Sequence, residues 1–202
     1  MAVSKLWPIN EGGLSSVLQY AANPKKTNNK LYISGINCEP ETAYEEFTAV
    51  KRSYAKADGI EAYHGYLSFK EQNITPELTM KIGTEFAQEV WGKRFQILVT
   101  VHTDTEHPHC HFVINSVSFV DGKKLWGEEK AWFKFKQTAD RLCEKYGLYY
   151  NPNPIRGRSS SYHYNREKKG EPTRYLLARE AMEKALLQCT NTADLRYTLA
   201  KL

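Results

Sequence analysis

The chain has 202 residues, 41% hydrophobic and 25% charged, with a formal net charge of +5, which is one domain's worth of sequence and enough to bury a full core. A mean hydropathy of -0.60 and the lack of any long apolar run exclude a membrane-spanning helix, and the opening residues 1–7 carry no apolar core with a small-residue cleavage site, so no secretion signal is expected. Four scattered cysteines without a CxxC pair (Cys38, Cys110, Cys143, Cys189) point to a reduced, cytoplasmic setting.

Val3 and Leu6 fit a short first strand over 2–7, broken by Gly12-Gly13. Leu14, Val17, Leu18 and Ala21 recur at helical spacing and predict a short helix over 14–22, ended by Asn23-Pro24. Residues 31–34 read as a strand before a loop over 35–40. Tyr44, Phe47, Val50 and Tyr54 form one stripe of a helix over 41–57, with Asp58-Gly59 as its stop. A strand over 62–69 follows. Thr75-Pro76-Glu77 then supplies an N-cap, a proline at the first helical position and an early acid for a helix carrying Leu78, Ile82, Phe86 and Val90. Strands over 95–102 and 109–119 are joined by a segment short enough for a hairpin, which makes them antiparallel neighbours.

After an Asp121-Gly122 turn, a helix over 129–146 ends at Gly147. Residues 151–170, rich in Pro, Gly, Ser, Arg and Lys, read as a mobile basic loop, followed by helices near 172–188 and 192–201. The central hairpin argues for an α+β fold, an antiparallel sheet flanked by helices, with a helical C-terminal extension. The expected organisation is a main domain over 1–150, with 151–202 as part of it or appended to it.

The net charge alone says little about partners, but its distribution says more. Basic residues cluster at Lys25, Lys26 and Lys30, at Lys123 and Lys124, and at Arg156, Arg158, Arg166, Lys168 and Lys169, with Tyr162 and Tyr164 interleaved in the last group. Rings beside cations suit single-stranded nucleic acid, where bases stack and phosphates pair with charge. Taken singly, each cluster is equally well read as a solvated loop.

His109 and His111 stand two apart on a predicted strand, so both project to one face while Cys110 turns to the other. His102 ends the preceding strand and reaches the same hairpin mouth. Three imidazoles converging there form a candidate catalytic metal site with positions open to substrate. Zinc, cobalt, nickel and manganese all suit such ligands. Asp104 is the candidate to accept the second ring N–H of a ligand; His107 points away and is left out. Asn115 lies on the same strand face as His111, and His64 lies on a strand that borders the same sheet; both are further candidates.

Near the N-terminus, Tyr20 is followed by Asn23-Pro24-Lys25-Lys26-Thr27, a pattern no capping need explains. Together with residues 62–70 and with the run Val101-His102-Thr103-Asp104-Thr105-Glu106-His107-Pro108-His109-Cys110-His111, it resembles the conjugative relaxases. These are mobilisation nucleases of the HUH endonuclease superfamily (His-hydrophobic-His), in the branch carried by integrative mobile elements of Gram-positive bacteria. Cys110 stands where the family has an aliphatic residue.

The resemblance implies site- and strand-specific nicking and rejoining at a transfer origin, which starts conjugative transfer. Tyr20 would attack phosphorus to leave a 5′-phosphotyrosyl link, with Asp104 in a catalytic role. His102, His109 and His111 would hold one divalent cation, Mn²⁺ or Mg²⁺ rather than Zn²⁺. Lys25, Lys26, Lys123, Lys124, Arg156 and Arg158 would contact DNA, with Tyr162 or Tyr164 stacking on bases. Implied partners are single-stranded origin DNA, an accessory DNA-binding protein and a type IV secretion coupling protein, all in the bacterial cytoplasm with no membrane insertion. Two other classes fit the residues alone: a metal-dependent hydrolase using activated water, such as a phosphoesterase, and a non-catalytic DNA-binding module.

Overall fold

The computed structural model describes residues 3–69, 71, 74–105, 107–125, 129–150, 165, 166, 168–189 and 191–201. Its strands are β1 (Val3–Ile9), β2 (Ile33–Ile36), β3 (Ala62–Ser68), β4 (Ile97–His102) and β5 (His109–Asn115). They form one sheet in the order β1-β3-β5-β4-β2, with every neighbouring pair antiparallel. Helices flank it, so the α+β architecture expected from the central hairpin is the one observed.

Alternation along the strands gives the sheet two faces of different chemistry. Leu67, Ile97, Val99, Val101, Cys110, Phe112 and Ile114 turn to one face and pack with α3 (Pro76–Val90) and α4 (Glu129–Lys145), which bring Ile82, Phe86, Phe135 and Leu142. The opposite face carries Ala62, Leu98 and Val113, covered by Leu14, Val17, Leu18 and Ala21 of α1 (Leu14–Ala21) and by Phe47 of α2 (Ala43–Ser53). That second apolar patch fills only the end of the sheet where β5 finishes. At its other end the same face carries histidines.

The start of α1 is held from outside its own sequence. Gly13 at its N-cap provides no side chain, and the Leu14 N–H instead donates to Glu61 Oε2 at 2.8 Å. The ammonium of Lys51, buried at 3% exposure, donates to the Glu61 carbonyl at 2.9 Å; burial holds that amine below its usual range.

Several boundaries differ from those read from sequence. β1 runs on to Ile9 because Pro8 and Ile9 keep pairing with Tyr63 and Ala62 at a sheet edge, where proline is tolerated. β2 begins and ends two residues later than expected, at Ile33–Ile36, since its register sets Ile36 against Ile97 in the core. The second helix is shorter: a 3-10 turn over Pro40–Thr42 precedes it, and Ala55 at φ +51 lies beyond its end. β5 stops at Asn115, leaving Val117 in a lone bridge with Lys124. Gly122, at φ +66, makes the turn between them.

By its internal contacts the chain divides into two units, residues 1–152 and 153–202. In the second, α5 (Arg174–Leu186) is capped by the Thr173 hydroxyl, which accepts from the Leu176 N–H at 3.2 Å. The Asn191 side-chain Oδ1 caps α6 (Thr192–Leu199), accepting from the Ala193 and Asp194 N–H groups. Among the described residues no helix is long and apolar enough to cross a membrane.

Helix α3 packs against β5 at Gly83, where an added Cβ would collide with Cys110 Sγ. Gly83→Ala should therefore destabilise the fold by about 1–3 kcal/mol despite alanine's better helix propensity. Urea denaturation checks it, and adding Cys110→Ala should recover part of the loss.

Candidate active site

The register of the central hairpin brings the histidines together. His102, last in β4, pairs directly with His109, first in β5, and His111 follows two residues on along the same face. Their ring centroids are 4.1 Å apart for His102 and His111, 4.9 Å for His109 and His111, and 5.6 Å for His102 and His109. One ring nitrogen from each lies within 4.8 Å of the other two.

The remaining nitrogens are all engaged. His102 Nε2 lies 3.0 Å from the Ala21 carbonyl, and His109 Nδ1 lies 3.0 Å from the His107 carbonyl. Because a carbonyl only accepts, both nitrogens carry the proton. His111 Nδ1 lies 2.9 Å from His64 Nε2, a pair of buried rings. His102 Nδ1 and His111 Nε2 are left buried with no hydrogen-bond partner. Unpaired buried nitrogens are costly and therefore rare, and two of them within a cluster of three imidazoles this close fit a divalent cation. The residues thus fit the metal that the sequence pattern implied.

The same burial keeps His64, His102 and His111 uncharged. His64 is lowered to about 4, first by burial and then by the neighbouring His102. Burial, reinforced by His102, His64 and His109, drives His111 lower still. His102 is also lowered, chiefly by burial, against the opposing pull of the Ala21 carbonyl. Metal binding requires neutral imidazole, so His102 and His111 are held in their binding form.

Above the cluster stands Tyr20, in the last turn of α1. Its ring meets those of His102, His111 and His64 edge-on, with centroids 5.5, 5.8 and 5.9 Å away. At 45% exposure the phenol is open to a ligand while His102 and His111 are buried beneath it. Lys26 Nζ sits 4.7 Å from the Tyr20 ring centroid and 3.1 Å from Asp104 Oδ2. The Asp104 hydrogen bond raises the Lys26 amine above its usual value, against a smaller effect of burial. Asp104 itself is pushed up by burial, but its hydrogen bond to Lys26, the Lys26 charge and smaller backbone and His102 contributions together outweigh this and leave it below the usual carboxylate range.

Asp104 is therefore not the partner of a ring N–H, as expected from sequence. A carboxylate beside a flexible ammonium pairs with it, and the ring nitrogens already have carbonyl or imidazole acceptors. His107, excluded as a ligand, contributes its backbone carbonyl instead. Lys25 N–H donates to Asn23 Oδ1 in the turn after α1.

Lys123, Lys124 and Asn115 are not brought to the cluster. Asn115 is four residues beyond His111 in β5, about 13 Å at 3.3 Å per residue. Its Nδ2 donates to the Phe47 carbonyl and Gln96 Oε1 in the core. Lys124 lies past that end, donating to the Asp58 carbonyl, and Lys123 lies 3.7 Å from Asp121. Arg156, Arg158, Tyr162 and Tyr164 fall outside the described residues. Sequence reasoning missed the reach of His64 to His111 and the position of Lys26 over Tyr20. The first had a signal, since His64 is two residues from Tyr66, which pairs with His111, but only the β3–β5 register reveals it.

A profile described as relaxase, MobA/VirD2-like, nuclease domain matches residues 20–148, a span that includes Tyr20 and the three clustered histidines. The chain belongs to this relaxase family. A relative, Protein rlx of Staphylococcus aureus, is 36% identical over 148 residues, covering 73% of this chain and 44% of the relative. The group II intron-interrupted relaxase LtrB of Lactococcus lactis subsp. cremoris is 25% identical over 179 residues, covering 68% and 31%. This relaxase chain thus spans less than half the length of either relative.

Its fold is also that of a solved relaxase domain. The MobM relaxase domain bound to plasmid pMV158 oriT DNA, in a Mn-bound crystal structure, superposes with a TM-score of 0.57 at 13% identity, covering 84% of this chain and 98% of that one. A chain from work on the molecular basis of vancomycin resistance transfer in Staphylococcus aureus gives 0.53 at 13% identity, covering 79% and 100%.

Two outcomes test the site as a binding centre. Excess Mn²⁺ should raise the melting temperature, by the equivalent of about 3 kcal/mol at a hundred times its dissociation constant, and EDTA or His111→Ala should remove the gain. Without metal, stability should fall with acid. The unfolded His64 takes up a proton near its ordinary 6.5 but the folded one only near 4. Its contribution, about 3 kcal/mol, is thus complete above pH 6.5 and lost as pH falls toward 4. Urea denaturation at pH 7 and pH 4 measures it.

Proposed function

We propose that this chain is the nuclease domain of a mobilisation relaxase that nicks one DNA strand at a transfer origin and later rejoins it. A single observation carries the reading: the phenol of Tyr20 stands exposed, edge-on to His102 and His111 and within 6 Å by ring centroid.

In the proposed reaction the Tyr20 oxygen attacks the scissile phosphorus. The Oη–P bond forms, the P–O3′ bond breaks, and the phenol proton leaves while the departing 3′ oxygen gains one. The product is a 5′-phosphotyrosyl ester and a free 3′-hydroxyl, and the retained ester allows a later 3′-hydroxyl to reverse the step. When bound at His102, His109 and His111, a divalent cation neutralises charge growing on the non-bridging phosphate oxygens; Mn²⁺ or Mg²⁺ is our assignment.

Lys26 would hold positive charge beside the phenolic oxygen as it becomes anionic, with Asp104 fixing the lysine's position. That replaces the phosphate-binding role expected for Lys26 from sequence. Lys25, Lys123, Lys124, Arg156 and Arg158 remain candidates for phosphate contacts, with Tyr162 or Tyr164 stacking on bases. Phosphate contacts position a strand without reading it. Accessory and coupling proteins, and a cytoplasmic site of action, belong to the same proposed role for the whole protein.

The deciding experiment incubates the protein with single-stranded origin DNA and Mn²⁺ and resolves the products on a denaturing gel. A protein band carrying the 5′ end of the cut strand should appear, and should vanish with Tyr20→Phe or EDTA. Cleavage that survives Tyr20→Phe without an adduct would instead mark a hydrolase using water. Binding without cleavage would mark a DNA-binding module.

Lys26→Met should slow single-turnover nicking about 10²-fold while leaving Mn²⁺ affinity unchanged. Affinity for the oligonucleotide should fall steeply as salt rises, as phosphate contacts demand.

A further inference from the structure

We propose that His64 is a positioning residue of the metal centre: its Nε2 accepts the Nδ1–H of His111 and so fixes the tautomer that turns His111 Nε2 toward the cation. The proposal rests on reading His102, His109 and His111 as ligands, and it concerns a fourth histidine that binds no metal itself.

Two ring nitrogens 2.9 Å apart share one proton, so one ring donates and the other accepts. The surroundings choose which. His111 Nε2 is buried and has no partner. A proton there would be a donor sealed from water with no acceptor, an arrangement that costs about 1–3 kcal/mol, and it would occupy the lone pair a cation needs. The proton therefore resides on His111 Nδ1, the acceptor is His64 Nε2, and the proton of His64 sits on its own Nδ1.

The geometry around His64 leaves it little choice of position. Its ring is 4.6 Å from that of Trp7, its direct partner across the β1–β3 pair, and 5.9 Å from Tyr20 on the other element packed against it. Because His64 faces Val113 across β3–β5, it meets His111 diagonally, a separation that only long side chains bridge. The same residue thus touches both the ligand His111 and the ring of Tyr20.

An imidazole in this role differs chemically from the carboxylate that often orients a metal-bound histidine. It accepts the proton more weakly and brings no negative charge. The other two ligands lean on the carbonyls of Ala21 and His107, which are also neutral. Among the described residues no carboxylate accepts a hydrogen bond from a ligand ring, so the charge of a bound cation would not be offset through its ligands.

Two measurements on the full chain test this, neither of which needs DNA or cleavage. Long-range ¹H–¹⁵N NMR of the metal-free protein at pH 7 should show His111 protonated on Nδ1 and His64 unprotonated on Nε2. Manganese titration followed by EPR should show binding weakened about 10–100-fold in His64→Leu, with most of it restored in His64→Gln, whose amide oxygen replaces the accepting Nε2.

A His111 protonated on Nε2 in the wild type would overturn the proposal, as would unchanged Mn²⁺ affinity in a folded His64→Leu. If that variant does not fold, the wild-type NMR result decides alone. Loss of nicking with Mn²⁺ binding and tautomers as described would count against the proposed function and leave the role of His64 standing.

Discussion

The hydrogen bond between His102 Nε2 and the carbonyl of Ala21 joins the two halves of the site. The last carbonyls of a helix have no partner within it, and Ala21 ends α1 fully buried. The His102 imidazole donates to that carbonyl and in return gains a fixed orientation. Since Ala21 follows Tyr20 directly, the same bond sets the height of the phenol above the cluster. The remainder of α1 serves this contact: Glu61 satisfies its first N–H, and its apolar side seats on Leu98 and Val113.

Charge around the site is arranged in two layers. Inside, burial keeps His64, His102 and His111 neutral, so at His102 and His111 a divalent cation would meet lone pairs rather than competing protons. Outside, the Lys26 ammonium and the Asp104 carboxylate pair with each other, partly exposed beside Tyr20. Such a pair adds little stability by itself. Its consequence is positional, because it keeps a cation over the phenol ring and keeps a carboxylate away from the histidine nitrogens.

The divided sheet explains how one small domain accommodates both a core and a polar centre. One face is sealed along its length by α3 and α4, with Cys110 and Phe112 turned inward between the histidines and beyond them. The other is apolar only where α1 and α2 cover it. Alternation along β5 therefore sends His109 and His111 to the face that ligands can reach, while Cys110 on the far side packs against Gly83 and donates to the Thr79 carbonyl.

Much of this was written in local pattern. The period-two spacing of His109 and His111, the turn after His102, the proline-initiated α3 and the apolar stripe of α1 each follow from residues close together in the chain, where steric preference and side-chain direction act without help from the fold. The antiparallel hairpin and the three clustered histidines were legible for that reason, and so was Tyr20 as an unexplained aromatic.

Partners distant in the chain were not. His64 reaches His111 only because β3 slots between β1 and β5 in one particular register, and a shift of one residue would turn it to the opposite face. Lys26 and Asp104 meet only after α1 folds back over the hairpin, and charge patterning cannot tell a phosphate-binding lysine from one already paired. Strand ends at Ile9, Ile36 and Asn115 likewise depend on which neighbour supplies the next backbone hydrogen bond. Local sequence specified the elements and their chemical faces; pairing across the sheet, a property of the whole packed chain, selected which polar atoms would satisfy one another and which two nitrogens would be left for a cation.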